Sequence, residues 1–398
     1  MFCLSCATPA DLYKLAPMNS GSASQSSPGF RAFLRSEYPF FIGLATAVIF
    51  LVLGSEVLEN VAHPYALGAI FVWLLGGVFW SAVSVVRHAD CLAVKCGEPY
   101  GTLILTLSAI SIEVVMISAA MLHGANNPTL ARDMMFGVVM IALNGLVGFS
   151  LLLGGLRHHE QNYNLQGASA YLNTIMALTV LGLVLPNFTT SLSGPRFSFV
   201  QEIFLVVTSL SLYVIFLFIQ TGRHRQYFKE AAGAPVTTAG GDHSPFHLWS
   251  TGFHGAMLFL YLIVVVVLAE KFAIPLDNCI EKLGMPQAFG GAIVAGLVLA
   301  PEALSAVNAA RGNQLQRSVN ILHGSVLASI GLTIPAVLII GMTTNRQVVL
   351  GIEGGNLPLL VLTLGASVVT FGSGKTNVLQ GCVHLLLFAV FLLLIFCP

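Results

Sequence analysis

From residue 39 onward the sequence alternates long apolar runs with short polar punctuation. Eleven runs stand out, at about 39–58, 64–86, 100–122, 135–156, 169–188, 199–220, 250–270, 286–310, 318–342, 357–373 and 379–397. Each comes close to the ~20 residues that an α-helix needs to cross a bilayer. Backbone groups in lipid must be satisfied within the segment, so the pattern predicts an all-α integral membrane protein with 11 transmembrane helices. Only one connection is long, at 221–249, and it reads as a cytoplasmic loop. It leaves a lone first helix (39–58), a set of five helices over 64–220 and a second set of five over 250–398. Five is odd, so the two sets run in opposite senses, as inverted repeats do in secondary transporters. Residues 1–38 include the Ser/Gly-rich stretch NSGSASQSSPG and read as a disordered cytoplasmic N-terminus. They lack the basic start, apolar centre and small-residue cleavage site of a signal peptide.

Composition sharpens this picture. Hydrophobic residues make up 56% of the 398 and charged residues 9%, against about 25% charged in a soluble domain. The formal net charge is zero, which excludes the basic footprint of a nucleic-acid binder. The seven cysteines are scattered. Cys3 and Cys6 have CxxC spacing, but no second pair or His cluster completes a zinc set, and no cofactor is expected.

The basic residues set the orientation. With the N-terminus in the cytoplasm, twelve of the 17 Lys and Arg fall on the inside and five on the outside, the latter being Arg132, Arg196, Lys271, Lys282 and Arg346. The excess inside predicts a cytoplasmic N-terminus and a periplasmic C-terminus in a bacterial inner membrane.

Two of the 17 acidic residues lie well inside apolar runs. Glu113 sits in Gly97–Met121 and Glu302 in Met285–Ala310, with no Lys or Arg in either stretch before its end. A charge at a bilayer centre costs roughly 2.5–3.5 kcal/mol on insertion scales, so such residues mark function. Both occupy the second helix of their set, the equivalence expected of a repeat. A carboxylate there holds either a proton or a metal cation on the same oxygens. Two of them suit a hard dication such as Ca²⁺, which takes 6–8 oxygen ligands. Pro301 cannot donate to the carbonyl of Leu297, which frees an oxygen one turn before Glu302. Ser108, Ser111, Asn144, Ser325 and Ser329 are further candidate oxygens.

At these residues the chain resembles the bacterial calcium/proton antiporters of the ChaA type, within the cation/proton exchangers of the calcium–cation antiporter superfamily. The similar segments are VVRHADCLAVKCGEPYGTLILTLS (85–108), GLVGFSLLLGGLRHHEQNYN (145–164), NQLQRSVNILHGSVLASIGLTIP (313–335) and FGSGKTNVLQGCVHLLLF (371–388). The resemblance implies 11 spans, ion-binding glutamates at Glu113 and Glu302, and export of cations against inward protons. It departs in one respect at the site. The wider family carries Gly-Asn-Ala before each glutamate, where this chain has Ala109, Ile110 and Ser111, and Val298, Leu299 and Ala300. Fewer side-chain oxygens leave room for Na⁺ or K⁺ beside Ca²⁺.

Other motifs carry less. Gly372–Thr376 imitates a phosphate loop, but the position of its first required Gly is Val369, so it reads as a loop between spans. His88 and Asp90 read as an interfacial pair, with a proton relay as the alternative. His254, His323 and His384 read as packed, hydrogen-bonded residues, and His323 stands beside the expected site. A membrane-embedded hydrolase would need paired Asp motifs or HExxH, and neither is present. The chain is therefore expected to be a transporter of cations and protons in a lipid bilayer rather than an enzyme.

Overall fold

The computed structural model describes residues 33–34, 36–59, 63–96, 100–123, 128–229 and 249–397. Residues 1–32, 35 and 230–248 lie outside the described residues. The expected disorder of residues 1–38 does not hold at the end of that stretch, where residues 33, 34, 36 and 38 are helical and Glu37 is buried.

Among the described residues, eight helices are long and apolar enough to cross a membrane, and three carry shorter apolar stretches at Tyr38–Leu53, Leu107–Ala119 and Asn356–Thr370. In chain order they are α1 (Tyr38–Glu59), α2 (Pro64–Cys96), α3 (Tyr100–His123), α4 (Leu130–His158), α5 (Leu165–Phe188), α6 (Phe199–Arg223), α7 (Thr251–Lys282), α8 (Gln287–Arg311), α9 (Leu315–Thr344), α10 (Asn356–Thr370) and α11 (Val378–Phe396). Most boundaries fall within a few residues of the apolar runs, because polar caps punctuate the chain. Asn377 accepts from the backbone of Leu379 and Gln380 while Gln380 reaches back, a capping box that starts α11. Asn164 starts α5 in a similar way, accepting from Gln166 and Gly167.

Two helices outrun their apolar runs. The sequence pattern ends them at residues 86 and 270, but α2 continues to Cys96 and α7 to Lys282. Hydropathy stops where charge begins, whereas the backbone stays helical through Arg87, His88, Asp90 and Lys95, and through Glu270, Lys271 and Asp277. These two helices pack along one another, and α3 lies against both.

The first half of α4 crosses α8 with almost no side chain between them. A Cβ on Gly291 would stand 2.8 Å from backbone atoms of Asp133 and Met134. The second half of α4 crosses α11 through Gly148 and Gly381, where an added Cβ would again meet facing backbone within 3.0 Å. Small residues permit such approaches, and between apolar helices close packing is the main attraction available. Gln161–Asn162 and Lys375–Thr376 pair as a two-residue antiparallel ribbon that ties the α4–α5 loop to the α10–α11 loop. The phosphate-loop imitation is part of this ribbon and its turn.

Both α4 and α9 are interrupted by a π-helical turn, at Ile141–Leu146 and Ser329–Thr333. Such turns insert a residue into the helical ladder and recur at functional sites. Two further π turns lie in α5, at Val180–Val184, and at the end of α6, at Ile219–Arg223.

Candidate functional site

The two glutamates approach α9 from opposite neighbours. Glu113 comes from the middle of α3, and Glu302 follows Pro301 in α8. The α9 face between them carries Ser325, Ser329 and Thr333, each four residues after the last. In an α-helix a four-residue step drifts by about 40° around the axis. The π turn over Ser329–Thr333 takes more residues per revolution and reverses that drift, which keeps the three hydroxyls on one stripe.

The hydroxyls divide between the carboxylates. Ser329 donates to Glu113 Oε2, and Thr333 donates to Glu113 Oε1 at 2.9 Å. Ser325 donates to Glu302 Oε2. Glu113 is 1% exposed. Glu302 is half-buried. Both line a cavity of about 350 Å³ with Ser325, Asp90, Arg225 and Arg317. Its walls include Tyr171, Tyr213, Phe216 and Phe228. Glu302 is the more exposed of the two carboxylates, and both oxygens of Glu113 accept from α9 hydroxyls.

Among the residues expected at the site, Glu113, Glu302, Ser325 and Ser329 come together, and Thr333 joins them. The spacing of small polar residues does not mark Thr333, which reaches Glu113 through the π turn. Ser108 and Ser111 are occupied locally, donating to the carbonyls of Ile104 at 2.7 Å and Leu107 at 2.6 Å. Asn144, on the π turn of α4, belongs to a different buried cluster. Its Nδ2 donates to Thr363 Oγ1 at 2.8 Å, and its Oδ1 faces His384 Nδ1 at 3.2 Å. His384 Nε2 lies 3.0 Å from Thr370 Oγ1.

The histidines sort similarly. His323 is fully buried, with Nδ1 3.1 Å from the Val319 carbonyl and its ring edge-on to Phe371. It does not line the cavity. His88 and Asp90 do not form the pair expected of them. They lie on different sides of α2, Asp90 on the cavity and His88 against His254 of α7. Two residues along a helix turn the side chain by about 200°, which explains the separation.

Comparison with known proteins bears directly on this arrangement. Residues 66–222 and 253–397 match the sodium/calcium exchanger protein family, one block on each side of the long connection. The chain belongs to that family. It is 45% identical over 324 residues to the ionic transporter y4hA of Sinorhizobium fredii, covering 81% of this chain and 86% of that one. It is 39% identical over 353 residues to the sodium-potassium/proton antiporter ChaA of Escherichia coli, covering 89% and 94%. The fold is that of native YfkE, with a TM-score of 0.68 at 21% identity over 90% of this chain and 100% of that one. The H⁺/Ca²⁺ exchanger CAX aligns with a TM-score of 0.61 at 15% identity, covering 91% and 89%. The ChaA-type resemblance carried by the sequence segments is thus the family found.

Proposed function

We propose that this chain is a secondary antiporter that exports a cation, Ca²⁺ in the first instance, in exchange for protons. The observation that carries the reading is the shared cavity. Two carboxylates at equivalent positions of the two halves face the same space and draw their hydroxyl partners from one helix. Cation and protons compete for Glu113 and Glu302, so occupation by one displaces the other. The Ser325, Ser329 and Thr333 hydroxyls stabilise charged carboxylates when no cation is bound, and their oxygens are available as ligands when one is. With the carbonyl freed by Pro301, they supply neutral oxygens for a dication.

The same reading assigns 11 spans as a lone helix and two inverted repeats of five. The paired lengths of α2 and α7 and the paired glutamates of α3 and α8 support that division. The domains then run 39–58, 64–220 and 250–398, with 221–249 as a cytoplasmic loop. The cavity wall that carries Arg225, Lys229 and Arg317 then faces the cytoplasm, a side supported by the excess of basic residues.

A monovalent reading is favoured by one observation. The relative named a sodium-potassium/proton antiporter is 39% identical, whereas those named Ca²⁺/H⁺ antiporters are 22–24% identical. Vesicle flux of Ca²⁺, Na⁺ and K⁺ under one imposed pH gradient separates the readings. Ca²⁺ uptake that collapses with the gradient supports the first, and Na⁺ or K⁺ uptake without Ca²⁺ uptake supports the second. Flux that is indifferent to the gradient refutes exchange altogether.

A further inference from the structure

A second group of buried ionisable side chains lies away from the cavity, where the start of α1 meets α2 and α7. Glu37, His88 and His254 are each 0% exposed. Glu37 Oε2 accepts from Arg87 Nη2 at 2.9 Å and from the Tyr261 hydroxyl at 3.0 Å, and His88 Nε2 lies 3.3 Å from it. On the other edge of the same ring, His88 Nδ1 stands 3.0 Å from His254 Nδ1. The groups therefore form a chain running from the α1 leader through α2 to α7. None of Glu37, His88, His254 and Tyr261 lines the cavity, although Val86 and Asp90 of the same helix do. The cluster is separate from that cavity.

Proton counting decides what it can do. A nitrogen–nitrogen contact at 3.0 Å needs one hydrogen between the rings. With both rings neutral, His254 can donate to His88 while His88 Nε2–H faces Glu37. With one imidazolium, both contacts also persist, and the positive charge sits beside the Glu37 carboxylate. With two, N–H points at N–H, and two cations join Arg87 in a buried site. The contact then breaks. Among the described residues, the charged or titratable groups around it are Glu37 on the leader, Arg87 on α2, whose Nη2 also stands 3.4 Å from His88 Nε2, and Tyr261 on α7. Cys91 lies near Arg87 and Glu37, and Asp90 turns away toward Arg317. Arg87, whose side chain is 28% exposed, connects the cluster to water.

We propose that this cluster is a second proton-binding site, which latches α1 and α2 to α7 and opens when both imidazoles become charged. It rests on the antiporter reading only for its consequence, a pH response independent of Glu113 and Glu302. Trp249 provides the test. It stacks on Phe253, with centroids 4.4 Å apart, and meets Phe33 of the leader edge-on. Phe253 in turn touches both His88 and His254. In full-length protein in nanodiscs, with Trp73→Phe and Trp80→Phe leaving Trp249 as the sole tryptophan, emission should shift to the red in one transition as pH falls. His254→Gln keeps a partner for His88 that takes no proton, so its emission should stay blue. His254→Phe removes the partner and should be red throughout. Glu37→Gln removes the anion, makes each added proton costlier, and should move the transition to lower pH. A wild-type signal flat across pH, a His254→Gln transition like that of the wild type, or an unmoved Glu37→Gln midpoint would overturn the latch. No ion gradient is involved, so failure here is distinct from failure of the transport reading.

Discussion

Glu113 and Thr333 are 220 residues apart in the chain and 2.9 Å apart in the fold. The bond joins α3 to α9 across the long connection. Ser329 makes a second bond of the same kind, so the buried Glu113 carboxylate is held by the opposite half of the molecule.

Replacing either carboxylate by its amide should abolish exchange. Glu113→Gln and Glu302→Gln keep side-chain shape but hold neither a cation's charge nor an exchangeable proton. Expression and membrane insertion should be close to wild type, and flux in vesicles should be at background. Near wild-type transport by either variant would remove the two-glutamate mechanism.

The hydroxyl stripe predicts a graded effect. Hydrogen bonds to charged groups contribute about 1.5–3 kcal/mol. Ser325→Ala, Ser329→Ala and Thr333→Val should therefore each weaken apparent cation affinity by roughly tenfold or more. Ser305→Ala, on the same cavity wall, serves as the control and should change affinity little. Equal effects from all four variants would argue against a specific role for the α9 stripe.

Competition for shared oxygens has a calorimetric signature. Cation binding should release protons, and apparent affinity should weaken as pH falls, because protonated carboxylates must be emptied first. Isothermal titration in two buffers of different ionisation enthalpy reads the proton count directly. Binding without proton release would place the proton route elsewhere in the molecule.

Glu37 offers a stability test with a definite sign. Burial pushes its carboxyl up, but the hydrogen bond from His88 and the charge of Arg87 outweigh this and hold it below its ordinary 4.5. A carboxyl depressed in the folded state contributes stability that is present above its unfolded value and lost as pH falls through its folded value. Wild type should therefore unfold at higher temperature than Glu37→Gln at neutral pH, and the gap should close below about pH 4.5. A gap that widens on acidification would contradict the ion pair with Arg87.

Topology is testable without function. A tag after Pro398 should be accessible from the periplasm and a probe near Gly240 from the cytoplasm. Opposite labelling at either position would mean that one span is miscounted.

Much of this molecule was legible in its residues. Apolar runs and caps mark where helices begin, and the cost of an intramembrane charge singled out Glu113 and Glu302. Ser325 and Ser329 were visible as small polar residues near them. The rest depended on geometry that hydropathy does not carry. The polar ends of α2 and α7 look like loops because charge stops a hydropathy run without stopping a helix. Thr333 reaches Glu113 only because a π turn realigns it, and Asn144 is drawn aside by Thr363 and His384. Glu37 looked like the tail of a polar leader, and only the packing of α1 against α2 and α7 reveals it as buried.

The supply of hydroxyls from α9 alone makes the two halves unequal. If the halves trade conformations during a cycle, the opposite-facing state asks α4 to play the part of α9. The buried polar side chains that α4 itself carries are the amide of Asn144, already engaged by Thr363 and His384, and the hydroxyl of Ser150. The ion would then meet a generous set of ligands from one side of the membrane and a sparse one from the other. The direction of transport stays with the proton gradient, and the broken symmetry sets how tightly the ion is held on each face.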